Sequence, residues 1–173
     1  MTPRIRRLTR VDEAIVRQLA DVLLDVVEGG ASVGFMAPLT RGRAEEFWRR
    51  VGQEVAKGKR VLLVAEDEVG VCGTVQLLLD MPDNQPHRAD LAKLQVHSRA
   101  RRHGLGAALT TAAEATAREL GKTLLVLDAV TDGAAARLYA RLGWQRVGDI
   151  PAYALFPDGG YCSTTYFYKD LRP

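Results

Sequence analysis

The stretch Lys93-Leu-Gln-Val-His-Ser-Arg-Ala-Arg-Arg-His-Gly-Leu-Gly-Ala-Ala-Leu109 decides how this chain is read. An apolar run ends at Val96, a basic turn follows, glycines stand at 104 and 106, and an alanine-rich helix begins. A helix start carries unpaired backbone N–H groups and a partial positive charge. The two glycines let a ligand approach that backbone closely, and Arg101 and Arg102 add charge at the same place. A phosphate or pyrophosphate fits this chemistry; a basic glycine turn without a ligand is the plainer alternative.

Periodicity orders the rest around this segment. Upstream, 60–65, 71–79 and 88–96 read as strands, with Glu66-Asp67-Glu68 as a turn and 81–87 as a proline-bearing loop. Before them come a short strand over 3–9 and a helix that Asp12 can cap, running to Val27 with Ile15, Leu19, Val22, Leu23 and Val26 on one face. Gly29-Gly30 stops that helix. A loop carrying Phe35 and Met36 leads to a second helix over 43–57. Downstream, the helix from Gly104 ends at Gly121, and 123–127 suits a strand buried on both faces. Asp132 can cap a helix through Leu142, and a strand follows over 144–148. After Pro151 a loop with a turn at 156–160 is expected, then a last strand over 164–169. The order β α α β β β α β α β β, with a βαβ unit in the middle, is an α/β (α+β) fold around a mixed sheet.

The 173 residues suit one domain spanning 1–173. No apolar run reaches the ~18 residues of a membrane span, and Met1-Thr-Pro-Arg-Ile-Arg-Arg7 lacks the apolar core of a signal peptide, so a cytoplasmic protein is expected. Cys72 and Cys162 are too few and too far apart for a disulfide scaffold or a cysteine zinc site. The net charge of +3 is a weak pointer to anionic partners. Arg4, Arg6, Arg7 and Arg10 read as a solvated first strand. No aromatic residue interleaves the basic turn, which argues against nucleic acid. His97 and His103 have no third ligand at zinc spacing and read as solvent-facing, so no metal is expected. Ser98 lies outside any Gly-x-Ser-x-Gly, so a hydrolase triad has no support.

Three phosphate patterns compete. The Walker pattern Gly-x-x-x-x-Gly-Lys-Ser/Thr is absent. The dinucleotide fingerprint matches in part, with Asp128 near the place of a ribose-binding acid, but Leu109 stands at its third glycine. The turn from Ser98 to His103 is also too long and basic for it. The third pattern is Arg-x-x-Gly-x-Gly, here Arg101-Arg-His-Gly104-Leu-Gly106 after a strand.

That third pattern resembles the pyrophosphate loop of the GNAT superfamily of N-acetyltransferases. A second block, Ala135-Ala-Arg-Leu-Tyr139-Ala-Arg-Leu-Gly143-Trp144, resembles the family's late helix. The likeness covers about 60–170 in order. It implies a mostly antiparallel central sheet flanked by about four helices, and acetyl-CoA as co-substrate. Gly29-Gly-Ala-Ser-Val-Gly-Phe-Met36, Arg88-Ala-Asp-Leu-Ala-Lys-Leu94 and Pro151-Ala-Tyr153 with Pro157-Asp-Gly159 are similar to the tabtoxin-resistance acetyltransferases, whose acceptor is a small amino-acid-like toxin.

The resemblance implies roles residue by residue. The backbone of Leu94, Gln95 and Val96 would hold the pantetheine arm like an added strand and supply an oxyanion donor near Gln95 or Val96. Arg101, Arg102, His103, Gly104, Leu105, Gly106 and Ala107 form the pyrophosphate loop, and Arg99 or Arg101 would reach the adenosine 3′-phosphate. Ala135 lies on the late helix. Asp132 replaces the asparagine that many members carry against the coenzyme, a departure that leaves this contact open. Tyr139 is the general-acid candidate; a packed core tyrosine is the alternative. Asp90 and Asp128 are candidates for a water-mediated base or for binding the amine. Phe35, Met36 and Tyr153 would line the acceptor site with them.

The function expected is acetyl transfer from acetyl-CoA to a primary amine of a small acceptor, such as a toxin or antibiotic, by direct attack in a ternary complex. A protein N-terminus or lysine as acceptor is the first alternative, and a non-catalytic coenzyme- or nucleic-acid-binding module the second. A homodimer is an open alternative to a monomer.

Overall fold

A computed structural model describes residues 3–173 of the chain; residues 1 and 2 of the expected domain lie outside the described part. Seven strands form one sheet: β1 (Arg4–Leu8), β2 (Arg60–Glu66), β3 (Val71–Leu78), β4 (Arg88–Val96), β5 (Leu124–Val130), β6 (Gln145–Leu155) and β7 (Tyr161–Asp170). Their order is β1-β2-β3-β4-β5-β7-β6. Every neighbouring pair is antiparallel except β4 and β5, which are parallel. The βαβ crossover between those two is α3 (Leu105–Glu119). The other helices are α1 (Glu13–Glu28), α2 (Arg41–Ala56) and α4 (Ala134–Arg141).

Alternation along the strands gives the sheet two apolar faces. Leu62 and Val64 point to the face covered by α1 and α2, where Val16, Leu19, Leu23, Val26 and Trp48 are buried. Val61, Leu63, Val75, Leu77 and Leu91 point to the other face, against Leu105, Leu109 and Ala113 of α3 and Tyr139 of α4. α1 contains Ile15, Val16, Val22, Val26 and Val27, β-branched residues that each lose about 0.5 kcal/mol of helix propensity. Burying its apolar stripe returns ~1.5–3 kcal/mol per side chain, so packing decides the helix. Asp12 starts it, accepting a 2.9 Å hydrogen bond from the Ile15 N–H.

A buried polar cluster fixes α4 against α3 and β7. Glu114 of α3 accepts from Trp144 Nε1 at 2.9 Å and from Lys169 Nζ at 2.8 Å, and Lys169 also donates to the Leu142 carbonyl.

Several expected boundaries move. β6 runs through Pro151 to Leu155, where a loop was expected. It lies at the sheet edge, so proline costs no ladder bond, and a bulge between Ile150 and Ala154 absorbs the extra residues. β7 starts at Tyr161 and β5 continues to Val130. α2 starts at Arg41 behind Thr40, and α4 is capped by Gly133 rather than by Asp132, whose backbone has φ 58°. Arg6 is not simply solvated, because it forms a two-pronged pair with Glu66.

Two irregularities create the site. β4 and β5 pair only at Arg88–Leu124, Ala89–Leu125 and Asp90–Val126, and beyond this point they diverge and leave an edge of β4 open. β4 also carries a bulge: Gln76 faces Ala92 while Thr74 faces Gln95, so two steps on β3 match three on β4. Lys93 takes up the extra residue with φ 54°. A one-residue insertion reverses alternation. Leu94 and Val96 therefore pack with the α3 face, and Gln95, opposite Thr74, turns to the α1 face.

Candidate active site

The gap between β4 and β5 is the centre of a cleft of about 1150 Å³ that reaches both faces of the sheet. On the α3 and α4 face it is lined by Leu94, Val96, Gly104–Ala107, Ala135, Leu138 and Tyr139. On the α1 face its walls are Val26, the loop from Gly29 to Gly34, Lys93, Gln95, Asp128, Tyr153 and Thr164.

The glycine turn is built for an anion. The backbone N–H groups from Arg102 to Ala107 find no protein partner among the described residues, and the α3 start has no side-chain cap. Gly104 holds the turn at φ 75°, a left-handed conformation that favours glycine. A Cβ on Gly106 would stand 3.2 Å from Leu138 Cδ2, so glycine there lets α3 approach α4. The uncapped start of α4, Gly133 to Ala135, lines the same cleft and adds a second positive helix end.

The arginines divide differently from expectation. Arg99 is held by Asp67 and by the carbonyls of Gly70 and Val71. Arg101 donates to the Val96 carbonyl at 3.0 Å and reaches Asp25 at 3.5 Å. The Arg99 guanidinium is engaged away from the cleft, whereas Arg101 still lines it. Arg102 and Arg141 line the cleft and form no ion pair among the described residues. His97 is turned toward Asp25, with Nδ1 at 3.6 Å, rather than to solvent, while His103 is exposed. Asp132 and His103 contribute no side chain to the lining.

On β4, the His97 N–H is used by the Cys72 carbonyl of β3. By alternation the Val96 N–H points to the open edge, where an acyl oxygen could be received.

Tyr139 is 4% exposed, and its ring packs beside Trp144 and Phe167 at centroid distances of 5.5 and 6.2 Å. It is a core residue by its ring and a cleft residue by its hydroxyl, which has no protein partner among the described residues. Burial, with the Asp128 charge beside it, pushes this hydroxyl's pKa up, so it stays protonated. Asp128 is exposed to the cleft, with Oδ2 accepting from Thr164 Oγ1 at 2.8 Å. Its neighbours Leu125 and Leu127 join the α3-face core, so Asp128 itself looks toward α1.

Asp90 stands at the last paired position of β4 with β5, and its carboxylate is bound by Arg88. It does not line the cleft. Burial pushes its carboxyl pKa up, Arg88 opposes this, and Asp128 adds to the rise. Phe35 and Met36 also lie outside the main cleft. Phe35 packs edge-on against Phe47 at 5.3 Å, and Phe35 and Met36 line a side cavity of about 240 Å³ with Ser32, Ala154 and Leu155. Tyr153 does face the cleft, with its hydroxyl 3.0 Å from that of Tyr166.

Sequence reasoning passed over Lys93, the Gln95 side chain, Thr164 and Asp25. Lys93 left one signal, a charge interrupting the run Leu91-Ala-Lys-Leu-Gln-Val96. The other three have local surroundings that nothing distinguishes from ordinary surface or strand positions.

The chain matches the profile of the acetyltransferase (GNAT) domain over residues 58–146. It is 32% identical over 126 residues to an uncharacterized N-acetyltransferase in the hisH-hisA intergenic region of Azospirillum brasilense, covering 72% of this chain and 73% of that protein. A GNAT superfamily phosphinothricin acetyltransferase from Sinorhizobium meliloti, solved with acetyl-CoA, shares the fold with a TM-score of 0.80 at 19% identity, over 98% of this chain and 89% of that one. A ribosomal-protein-alanine N-acetyltransferase from Brucella melitensis aligns with a TM-score of 0.78 at 23% identity, over 96% and 99% of the two chains. The chain belongs to the GNAT family of acetyltransferases. It is therefore an N-acetyltransferase, with the mixed, mostly antiparallel sheet and four helices of that family. No helix among the described residues is long and apolar enough to cross a membrane, and no group of three metal-ligating side chains is found there.

Proposed function

We propose that this acetyltransferase moves the acetyl group of acetyl-CoA to the primary amine of a small amino-acid-like acceptor, by direct attack with both substrates bound. One observation carries the reading. The diverging strands join an anion-ready helix start on one face to a chamber holding Asp128 on the other, walled by the loop after α1. The loop after α1 is tied down along one side of this chamber. Ser32 Oγ donates to the Leu155 carbonyl at 2.9 Å, Ala37 N–H to the Pro157 carbonyl at 2.9 Å, and Lys93 Nζ to the Val33 carbonyl at 2.7 Å. An extended protein N-terminus or lysine-bearing loop would need an open groove here. The tabtoxin-resistance likeness, and with it a toxin- or antibiotic-inactivating role, belongs to this proposal.

The residues fit the co-substrate. The N–H row from Arg102 to Ala107 suits pyrophosphate oxygens. Leu94, Leu105 and Ala135 offer an apolar wall to the pantetheine arm, whose amides would pair with the open β4 edge as an added strand. Arg102 and Arg141, with Arg101 beside them, are the partners of the 3′-phosphate.

An alkyl ammonium with a pKa near ~10.4 must lose a proton before it attacks. Asp128 holds the amine and takes that proton through water; Asp90, screened by Arg88, tunes the field. The Val96 N–H, turned to the open edge of β4, receives the developing oxyanion. Tyr139 returns a proton to the departing thiolate, whose conjugate thiol has a pKa of ~8.5.

The test is calorimetric titration with acetyl-CoA against NADH as control, followed by thiol release with a panel of small amines. Binding of acetyl-CoA alone, and thiol release that depends on a small amine, is the expected result. Failure to bind acetyl-CoA overturns the reading.

A further inference from the structure

The acceptor chamber holds two opposite charges that do not meet. Asp128 lies on the β5 wall and Lys93 on the β4 bulge, and they form no salt bridge. Lys93 donates one hydrogen bond, to the Val33 carbonyl, and its remaining ammonium protons have no protein acceptor among the described residues. Burial pushes its pKa down and Asp128 across the chamber only partly opposes this, so an ammonium with no carboxylate in contact is costly here.

Gln95 is the second observation. Its residue is 2% exposed, it lines the cleft, and neither Nε2 nor Oε1 has a hydrogen-bond partner among the described residues. A buried carboxamide with both ends unsatisfied is costly, and a ligand can relieve that cost. The β4 bulge turns this side chain toward α1; with unbroken alternation from Ala92 it would face α3. The same bulge directs Lys93 to the loop after α1. One backbone irregularity thus presents an ammonium and an amide donor to one side of the chamber.

We infer that Lys93 and Gln95 form a carboxylate subsite, so that the acceptor is a zwitterion held by its carboxylate at the β4 bulge and by its amine at Asp128. This rests on the small-acceptor reading above and narrows it to amino acids and close analogues. Lys93 gives a charge-assisted hydrogen bond and Gln95 Nε2 a neutral one. The bond to Val33 holds the Lys93 ammonium in place at the chamber wall. A free amine without a carboxylate would leave Lys93 and Gln95 as unsatisfied as before, and discrimination follows from that difference.

The experiment compares thiol release with α-amino acids, phosphinothricin included, against the α-carboxamide of each. The carboxamide keeps size and amine but removes the negative charge. The wild-type protein should favour the acids by at least about tenfold in kcat/KM, as expected for a hydrogen bond to a charged group. Lys93→Met and Gln95→Met should each reduce that ratio toward one by losing more activity on acids than on carboxamides, with thermal unfolding and acetyl-CoA titration reporting that each variant is folded. Equal use of acid and carboxamide by the wild-type protein overturns the subsite and leaves the small-amine reading standing. Equal losses on both substrate types in both variants also overturn it. Acetylation of peptide N-termini with no turnover of any small amine overturns the subsite and the small-amine reading together.

Discussion

The Asp25 carboxylate accepts two hydrogen bonds from Ser98, one from its N–H at 2.8 Å and one from its hydroxyl at 2.6 Å. Arg101 and His97 approach the same carboxylate, so the last turns of α1 hold the start of the phosphate turn. Asp25→Ala should cost about 1–2 kcal/mol of stability and weaken acetyl-CoA binding several-fold, measured by denaturant unfolding and calorimetry. The effect has a pH signature. Burial alone would raise this carboxyl's pKa, but the Ser98 bonds, His97 and Arg101 outweigh it and hold the group below its ordinary value of 3.8. Its contribution is full above that value and is lost as pH falls through the lower, folded one. The stability gap between wild type and Asp25→Ala should therefore close in strong acid.

Tyr139→Phe keeps the ring that packs on Trp144 and Phe167 and removes a hydroxyl with no protein partner. Stability and acetyl-CoA affinity should change little. kcat should fall by about 10²-fold or more, the usual contribution of proton transfer. Because burial raises the hydroxyl pKa, the alkaline limb of the wild-type pH profile should belong to another group. Full kcat in the variant would remove Tyr139 from the chemistry.

Asp128→Asn and Asp90→Asn should separate. Asp128 lies in the chamber beside Thr164, and its variant should lose about 10²-fold in kcat/KM. Asp90 is already bound to Arg88 outside the cleft lining, so its variant should lose about tenfold or less. Steady-state kinetics with the best amine decide it: a loss in KM alone for Asp128→Asn makes that residue an amine binder rather than a base.

Gly106→Ala places a methyl 3.2 Å from Leu138, on the floor of the phosphate turn. Gly104→Ala meets open space but must hold φ 75°, at a cost of ~1 kcal/mol. Position 106 should lose more acetyl-CoA affinity and position 104 more stability, a contrast that calorimetry and thermal unfolding read separately.

Glu114→Ala would leave Lys169 and the Trp144 indole N–H without their buried acceptor. A loss of ~3 kcal/mol is expected from thermal or urea unfolding. kcat should fall as well, since α4 carries Tyr139.

Much of this architecture is legible in local signals. Asp12 as a cap, the glycine stops and the strand–turn–helix around Gly104 each rest on short-range chemistry, and each element appears where expected. The bulge at Lys93 does not announce itself, because it is set by pairing with β3 and not by any glycine or proline nearby. The same holds for β6, where Pro151 reads as a break but is tolerated at an edge. Phe35 was expected at the acceptor because its segment resembles one that lines it in related enzymes; its partner Phe47, on a separate helix, holds it at the side cavity. Arg99 and Arg101 looked free because their acidic partners, Asp67 and Asp25, are distant in sequence.

The cleft that pierces the sheet has a kinetic corollary. Donor and acceptor have separate doorways, so neither blocks the other's path, and initial-rate plots should intersect rather than run parallel. A single molecule joining the coenzyme thiol to an amino acid through an acetyl-length tether would thread both doorways at once. Once one end is seated, the other binds at the high effective concentration of an attached group. Such a tethered inhibitor should grip far more tightly than either half alone, and shortening or lengthening the tether would measure the thickness of the sheet at its opening.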